Sequence, residues 1–129
     1  MSKNNNQALK SELVEWGHWS RAAGVMGTTA VGNSLVPMIS DDRALEIDRV
    51  VGTLRKEERQ RGVTLYKSRN KNAPFVYQIV NARFVQRLTV RDMAKRYCID
   101  PAKVQRMLVF GVEQIGIGLE RVAANDERY

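Results

Sequence analysis

A mainly α-helical fold, a small bundle closed by a C-terminal helix-turn-helix, follows from three observations on the sequence. Apolar residues recur at three- and four-residue spacing in most segments, as on the core face of a helix. No segment alternates apolar and polar residues between hairpin turns, as paired strands would. The stretch from Leu88 to Leu108 carries two helix-start signals on either side of a three-residue break. A length of 129 residues suits one core. The sequence predicts one helical domain over 9–122, with the helix-turn-helix at 88–110. Residues 1–8, polar and Asn-rich, are expected to be a disordered leader, and 123–129 a frayed tail.

The elements follow in order. Leu9, Leu13, Val14, Trp16 and Trp19 lie near helical spacing, which predicts a short amphipathic helix over 9–22. Residues 24–39 hold Gly24, Gly27, Thr28, Thr29, Gly32, Asn33, Ser34 and Pro37, a breaker-rich loop without periodicity. Ser40 is a good N-cap, and Asp41 and Asp42 behind it complement the helix dipole. Ala44, Ile47, Val51 and Leu54, with Leu45 and Val50 beside them, then form a core-facing stripe. A short helix is expected around Gly62–Tyr66 in the highly charged region 57–71. Another is expected to start at Asn72-Ala73-Pro74, with Pro in the first turn, and to run to Arg87. Phe75 to Val80 is β-rich in composition, but Val76, Ile79, Val80 and Phe84 keep the helical spacing.

In the last pair, Thr89 caps a helix ending near Tyr97, and Asp100 caps a second with Pro101 at its first position. The connection Cys98–Asp100 suits two helices crossing steeply. Met93, Tyr97, Val104 and Met107 face inward, Ile99 plugs the turn, and Ala94 is small where the second helix passes. Gly usually begins such a turn, because its backbone is left-handed; Cys98 stands there, read as a small buried filler. Ala102, Lys103, Gln105, Arg106 and Val109 point away from the packed face. Gln and Arg make bidentate contacts to adenine and guanine edges. Arg91, Lys95, Arg96, Arg83 and Arg87 suit phosphate contacts.

The charge is placed to match. The chain carries +7 overall. Residues 61–110 carry eleven basic groups against only Asp92 and Asp100, a balance of +9, whereas residues 41–60 balance at −1 and residues 111–129 at −2. A concentrated basic segment is the footprint of a polyanion partner. No apolar run approaches the roughly 18 residues that cross a bilayer, and no helix joins a free apolar face to a basic one, so no membrane partner is expected. The N-terminus has no apolar signal segment. Cys98 and His18 are single, so a disulfide within the chain is excluded and a Cys/His zinc site cannot be completed. This composition suits a reducing cytoplasm.

The enzyme classes are poorly served. Asp41, Asp42, Glu46 and Asp48 form the one acidic cluster, and first-turn dipole partners and a solvated helix side explain it without magnesium. His18 has no nucleophile–base constellation, and Gly24, Gly27 and Gly32 lack the Lys-Ser/Thr of a phosphate loop. No enzyme activity, metal or cofactor is expected.

Two further segments resemble a family. Glu15-Trp16-Gly17-His18-Trp19-Ser20-Arg21, then a Gly-rich loop, then Ser40-Asp41-Asp42-Arg43-Ala44-Leu45-Glu46-Ile47-Asp48-Arg49-Val50-Val51 precede the helix-turn-helix. The order and the motifs W-G-x-W-x-R and D-D-x-A-L-x-I-D are similar to the small zinc-free antitermination Q proteins of lambdoid phages. The similarity runs from about Leu13 to Leu108; Cys98, the basic insertion Gln60–Lys71 and the extension Gly111–Val122 depart from it. The resemblance implies a transcription antitermination factor of the bacterial host cytoplasm. Such proteins bind double-stranded DNA near a late promoter and load onto a paused RNA polymerase still carrying sigma factor. They then travel with it through terminators of late genes, meeting nascent RNA indirectly at the exit channel. Their helix-turn-helix is similar to the promoter-reading region of sigma factor. With the outward and basic positions above, DNA contacts are expected from Arg91, Lys95, Arg96, Ala102, Lys103, Gln105 and Arg106. Trp16 and Trp19, three apart and so on one helical face, suit core packing, since buried aromatics dominate small cores. The alternative is that one of them anchors the polymerase interface, where Trp is over-represented, which makes Trp16, Trp19 and Arg21 candidates for polymerase contact. The helix-turn-helix alone fits equally a DNA-binding transcriptional regulator with no elongation role.

Overall fold

A computed structural model describes residues 2–24, 39–66 and 73–127. They form five helices with no strand among the described residues: α1 (Ser2–Gly24), α2 (Asp41–Arg61), α3 (Val76–Phe84), α4 (Val90–Tyr97) and α5 (Pro101–Glu127). The expected leader is in fact the opening of α1, and the expected tail is the last turns of α5 as far as Glu127. Local polarity alone suggests a disordered start and a frayed end. Leu9, Leu13 and Trp16, buried one or two turns farther in, anchor α1, and helix propagation from an anchored segment is cooperative. The breaker-rich stretch 25–38 and the basic residues Lys67, Arg69 and Lys71 lie outside the described residues.

α2 begins as its sequence dictates. Ser40 holds extended backbone, and its Oγ accepts from the Arg43 N–H at 3.1 Å. Ala44, Ile47, Val51 and Leu54 are buried on one face. The helix stops at Gly62, whose φ of 74° is left-handed and whose N–H donates to the Glu58 carbonyl. The short helix expected around Gly62–Tyr66 is absent; those residues form the turn after α2.

α3 starts at Val76, two residues past Pro74, and ends at Phe84 rather than Arg87. Arg87 sits at φ 61°, which no continuing helix allows. Val76, Ile79, Val80, Ala82 and Phe84 are all buried, more than one face of so short a helix can hold, so α3 is a core helix surrounded by others. The β-rich composition of this segment serves burial, not pairing.

α5 packs against each of the other four helices. At 27 residues it is roughly 40 Å long. Small residues let its neighbours approach. A Cβ on Gly111 would come 2.7 Å from Val80 Cγ2, and one on Gly118 2.6 Å from Val50 Cγ1. The segment Gly111–Val122 is therefore no appendage: Val112, Ile115 and Leu119 belong to the core.

Candidate nucleic-acid interface

The α4–turn–α5 pair is built by local signals that close on one another. The Thr89 hydroxyl accepts from the Asp92 N–H at 3.1 Å, and the Asp92 carboxylate accepts from the Thr89 N–H at 3.2 Å, a reciprocal capping box. Hydrogen bonding to the carboxylate, first by the Thr89 amide N–H and then by the Thr89 side chain, holds the Asp92 carboxyl below its ordinary 3.8. The Asp100 carbonyl accepts from the N–H groups of Lys103 and Val104, starting α5. Met93, Val104 and Met107 are fully enclosed, Ala94 and Leu108 are buried, and Tyr97 and Ile99 pack half-buried against them.

Cys98 is a correction. It takes the left-handed backbone expected of the turn, φ 56° and ψ 46°, but its side chain is exposed, not a buried filler. A left-handed residue ending a helix directs its Cβ outward, and Ile99 fills the space beneath.

The seven residues expected to face DNA divide cleanly. Arg91, Lys95, Arg96, Ala102, Gln105 and Arg106 are exposed, and Lys103 is half-buried. Ala102, Arg106 and Val109 run down one stripe of α5, with Lys103 and Gln105 at its flanks. Arg96 is not loose: its Nη1 donates to Gln86 Oε1 at 2.8 Å, which fixes the guanidinium beside the α3–α4 junction. Gln86 had no signal in the sequence, because its role depends on the turn after α3 bringing it back to α4. Arg83 and Arg87 are both exposed near the same junction.

The three residues considered for polymerase contact fall elsewhere. Trp16 is 2% exposed and belongs to the core, so it offers no surface to a partner; the spacing that put it on one face with Trp19 put it on the inward side. Trp19 is half-buried and its Nε1 donates to Asp41 Oδ1 at 2.9 Å. Arg21 Nη1 donates to the carbonyl oxygens of Phe84 at 3.3 Å and Val85 at 2.7 Å, capping the C-terminus of α3. Partial burial, and then the charge of Arg87, lower its pKa. Gly17 completes this joint, since a Cβ there would strike the Phe84 carbonyl, 2.7 Å from its carbon. The two sequence motifs are thus one structural joint among α1, α2 and α3, with Trp19 to Asp41 as the bond between them.

Two members of the acidic cluster have structural partners. Asp41 serves Trp19, and Glu46 joins Glu12 around Arg43, at 3.2 Å and 2.8 Å. Among the described residues no three His, Cys, Asp or Glu side chains converge as metal ligands would. No described helix is long and apolar enough to cross a membrane.

No family model, curated protein or solved structure matches the chain. The class that fold and site define is structural: among the described residues, a bundle of five helices whose last two form a helix-turn-helix with a basic outer face.

Proposed function

We propose that this chain is a helix-turn-helix regulator of transcription that reads double-stranded DNA with the outward face of α5, and that it acts as a phage antitermination factor on bacterial RNA polymerase. The observation that carries the DNA reading is the sorting of α4 and α5. Every inward position is apolar and packed, while Ala102, Lys103, Gln105 and Arg106 project outward beside Arg91, Lys95 and Arg96. Gln105 and Arg106 are the base readers, and the α4 cations are the phosphate contacts. The small exposed Ala102 lets the start of α5 approach the bases closely.

The elongation role rests on the resemblance spanning Leu13 to Leu108. In support, the W-G-x-W-x-R and D-D-x-A-L-x-I-D motifs form one joint, as motifs of a shared architecture would. The rival, a DNA-binding regulator without an elongation role, gains from the burial of Trp16, which leaves it no surface for a partner, and from the engagement of Arg21 on α3, which gives that side chain a structural role. Transcription with purified polymerase decides between them. The antitermination reading expects increased terminator read-through only on templates carrying the promoter-proximal site; folded protein that binds the site and gives no read-through leaves the plain regulator. For the DNA face, Arg106→Ala is expected to weaken specific binding by about 1–3 kcal/mol and relax the preference at one base pair. Unchanged affinity and specificity in a gel-shift titration would remove Arg106 from the base readers.

A further inference from the structure

The outward face of α2 carries positive charge that segment arithmetic hides. Residues 41–60 sum to −1, but the fold places most of their carboxylates out of play. Glu58 is enclosed and held by backbone N–H groups and Thr64. Glu57 pairs with Arg61 at 3.6 Å, and Glu46 with Arg43. Asp41 and Asp42 sit in the first turn at the far end of the helix, and Asp48 lies about two turns before Arg55. Arg55, Lys56 and Arg59 remain exposed, and among the described residues no carboxylate lies within ion-pairing distance of them.

Helical periodicity sets Gly52, Arg55, Lys56, Arg59 and Gln60 on one stripe, and these five line a shallow hollow. Gly52 heads the stripe. A Cβ there would meet nothing within 4 Å, so no neighbour in the fold requires the glycine. Glycine weakens a helix interior and bares its backbone to a close approach. We infer that this stripe is a second anion-binding surface, which takes the phosphate backbone of a nucleic acid independently of the α5 face. Arg forks and a Gln amide suit phosphate oxygens. The hollow has no apolar anchor, which a protein partner's hot spot would use, and the apolar face of α2 is buried in the bundle, so the helix cannot lie in a lipid surface.

The full chain tests this. Binding of a random-sequence DNA duplex and of a single-stranded RNA oligomer is titrated against salt for the wild type, the triple variant Arg55→Gln/Lys56→Gln/Arg59→Gln, Gly52→Glu, and Lys103→Gln/Arg106→Gln. Three lost phosphate contacts flatten the slope of log affinity against log salt by about 2.7 on duplex, or about 2.1 on single strands. Flattening on one probe alone assigns the strand to DNA or to RNA; flattening on both assigns a backbone surface without preference. Gly52→Glu sets a negative charge in the stripe and is expected to cost several-fold in affinity at low salt. An exposed Gly→Glu strengthens a helix, so its unchanged or raised melting temperature separates that loss from unfolding. Wild-type slopes and affinities for both α2 variants on both probes overturn the inference. Flattening by the α2 variants that Lys103→Gln/Arg106→Gln does not reproduce places that binding on α2 and not on α5; the base reading of α5 is tested separately by the Arg106→Ala gel shift.

Discussion

Glu58 has no exposed surface, and its two oxygens accept four hydrogen bonds. Oε2 takes the Thr64 hydroxyl and the N–H groups of Leu65 and Val76; Oε1 takes the Tyr77 N–H at 2.9 Å. A buried carboxylate is tolerable only when so fully satisfied. Glu58→Gln turns one acceptor into a donor facing N–H groups and is expected to lower the unfolding free energy by about 2–4 kcal/mol in urea titration. A change near zero would mean the four bonds do not stabilise the fold. Cys98 offers the opposite sign. A left-handed L-residue costs ~1–2 kcal/mol, while glycine adds ~0.4–1 kcal/mol of freedom to the unfolded chain. Cys98→Gly is therefore expected to stabilise by about 0.5 kcal/mol and raise the thermal midpoint; a lowered midpoint would show that the exposed thiol side chain contributes packing.

At the scale of elements, α3 is the piece that local signals could not assemble. It is clamped at one end by the Glu58 carboxylate on the N–H groups of Val76 and Tyr77, and at the other by Arg21 on the carbonyls of Phe84 and Val85. Each charge opposes the nearer pole of the helix dipole. Both clamps come from distant parts of the chain, so reading Asn72-Ala73-Pro74 as a start and Arg87 as an end missed them. By contrast, α2 and α4 carry their caps within three residues, and Ser40 and Thr89 were legible for that reason. The α4 cap also sets a pH dependence. Because the folded chain holds the Asp92 carboxyl below its ordinary 3.8, its stabilisation is whole above that value and is lost as pH falls through the folded value. Asp92→Asn should lose stability relative to wild type at neutral pH, with the gap closing in acid; a gap independent of pH would remove the charged capping box as its source.

Over the whole molecule, α5 joins the basic outer face to the centre of the bundle without a break. The expected domain plan, with the helix-turn-helix at 88–110, stops partway along this helix, because the outward-facing pattern ends at Val109 while the core pattern continues through Val112, Ile115 and Leu119. The outward stripe and the core residues share one continuous helix. Amide exchange is therefore expected to give Met107–Phe110 the same opening free energy as Val112–Ile115, within error. Markedly faster opening of the first group would show the helix-turn-helix unfolding on its own. The basic segment 61–110 was legible from composition; the α2 stripe was not, since summing charge along a sequence ignores which carboxylates the fold encloses.

The unbroken α5 also constrains how such a protein can diversify. Its inward residues Val104, Met107 and Leu108 answer to the core, so under the proposed DNA reading new target preferences arise by substitution at Ala102, Lys103, Gln105, Arg106 and Val109. Changes of length are closed to it: one residue inserted at Gly111 would swing the reading face by about 100° against the bundle. Lineages built on this helix can trade letters along one stripe, but they cannot shift its frame.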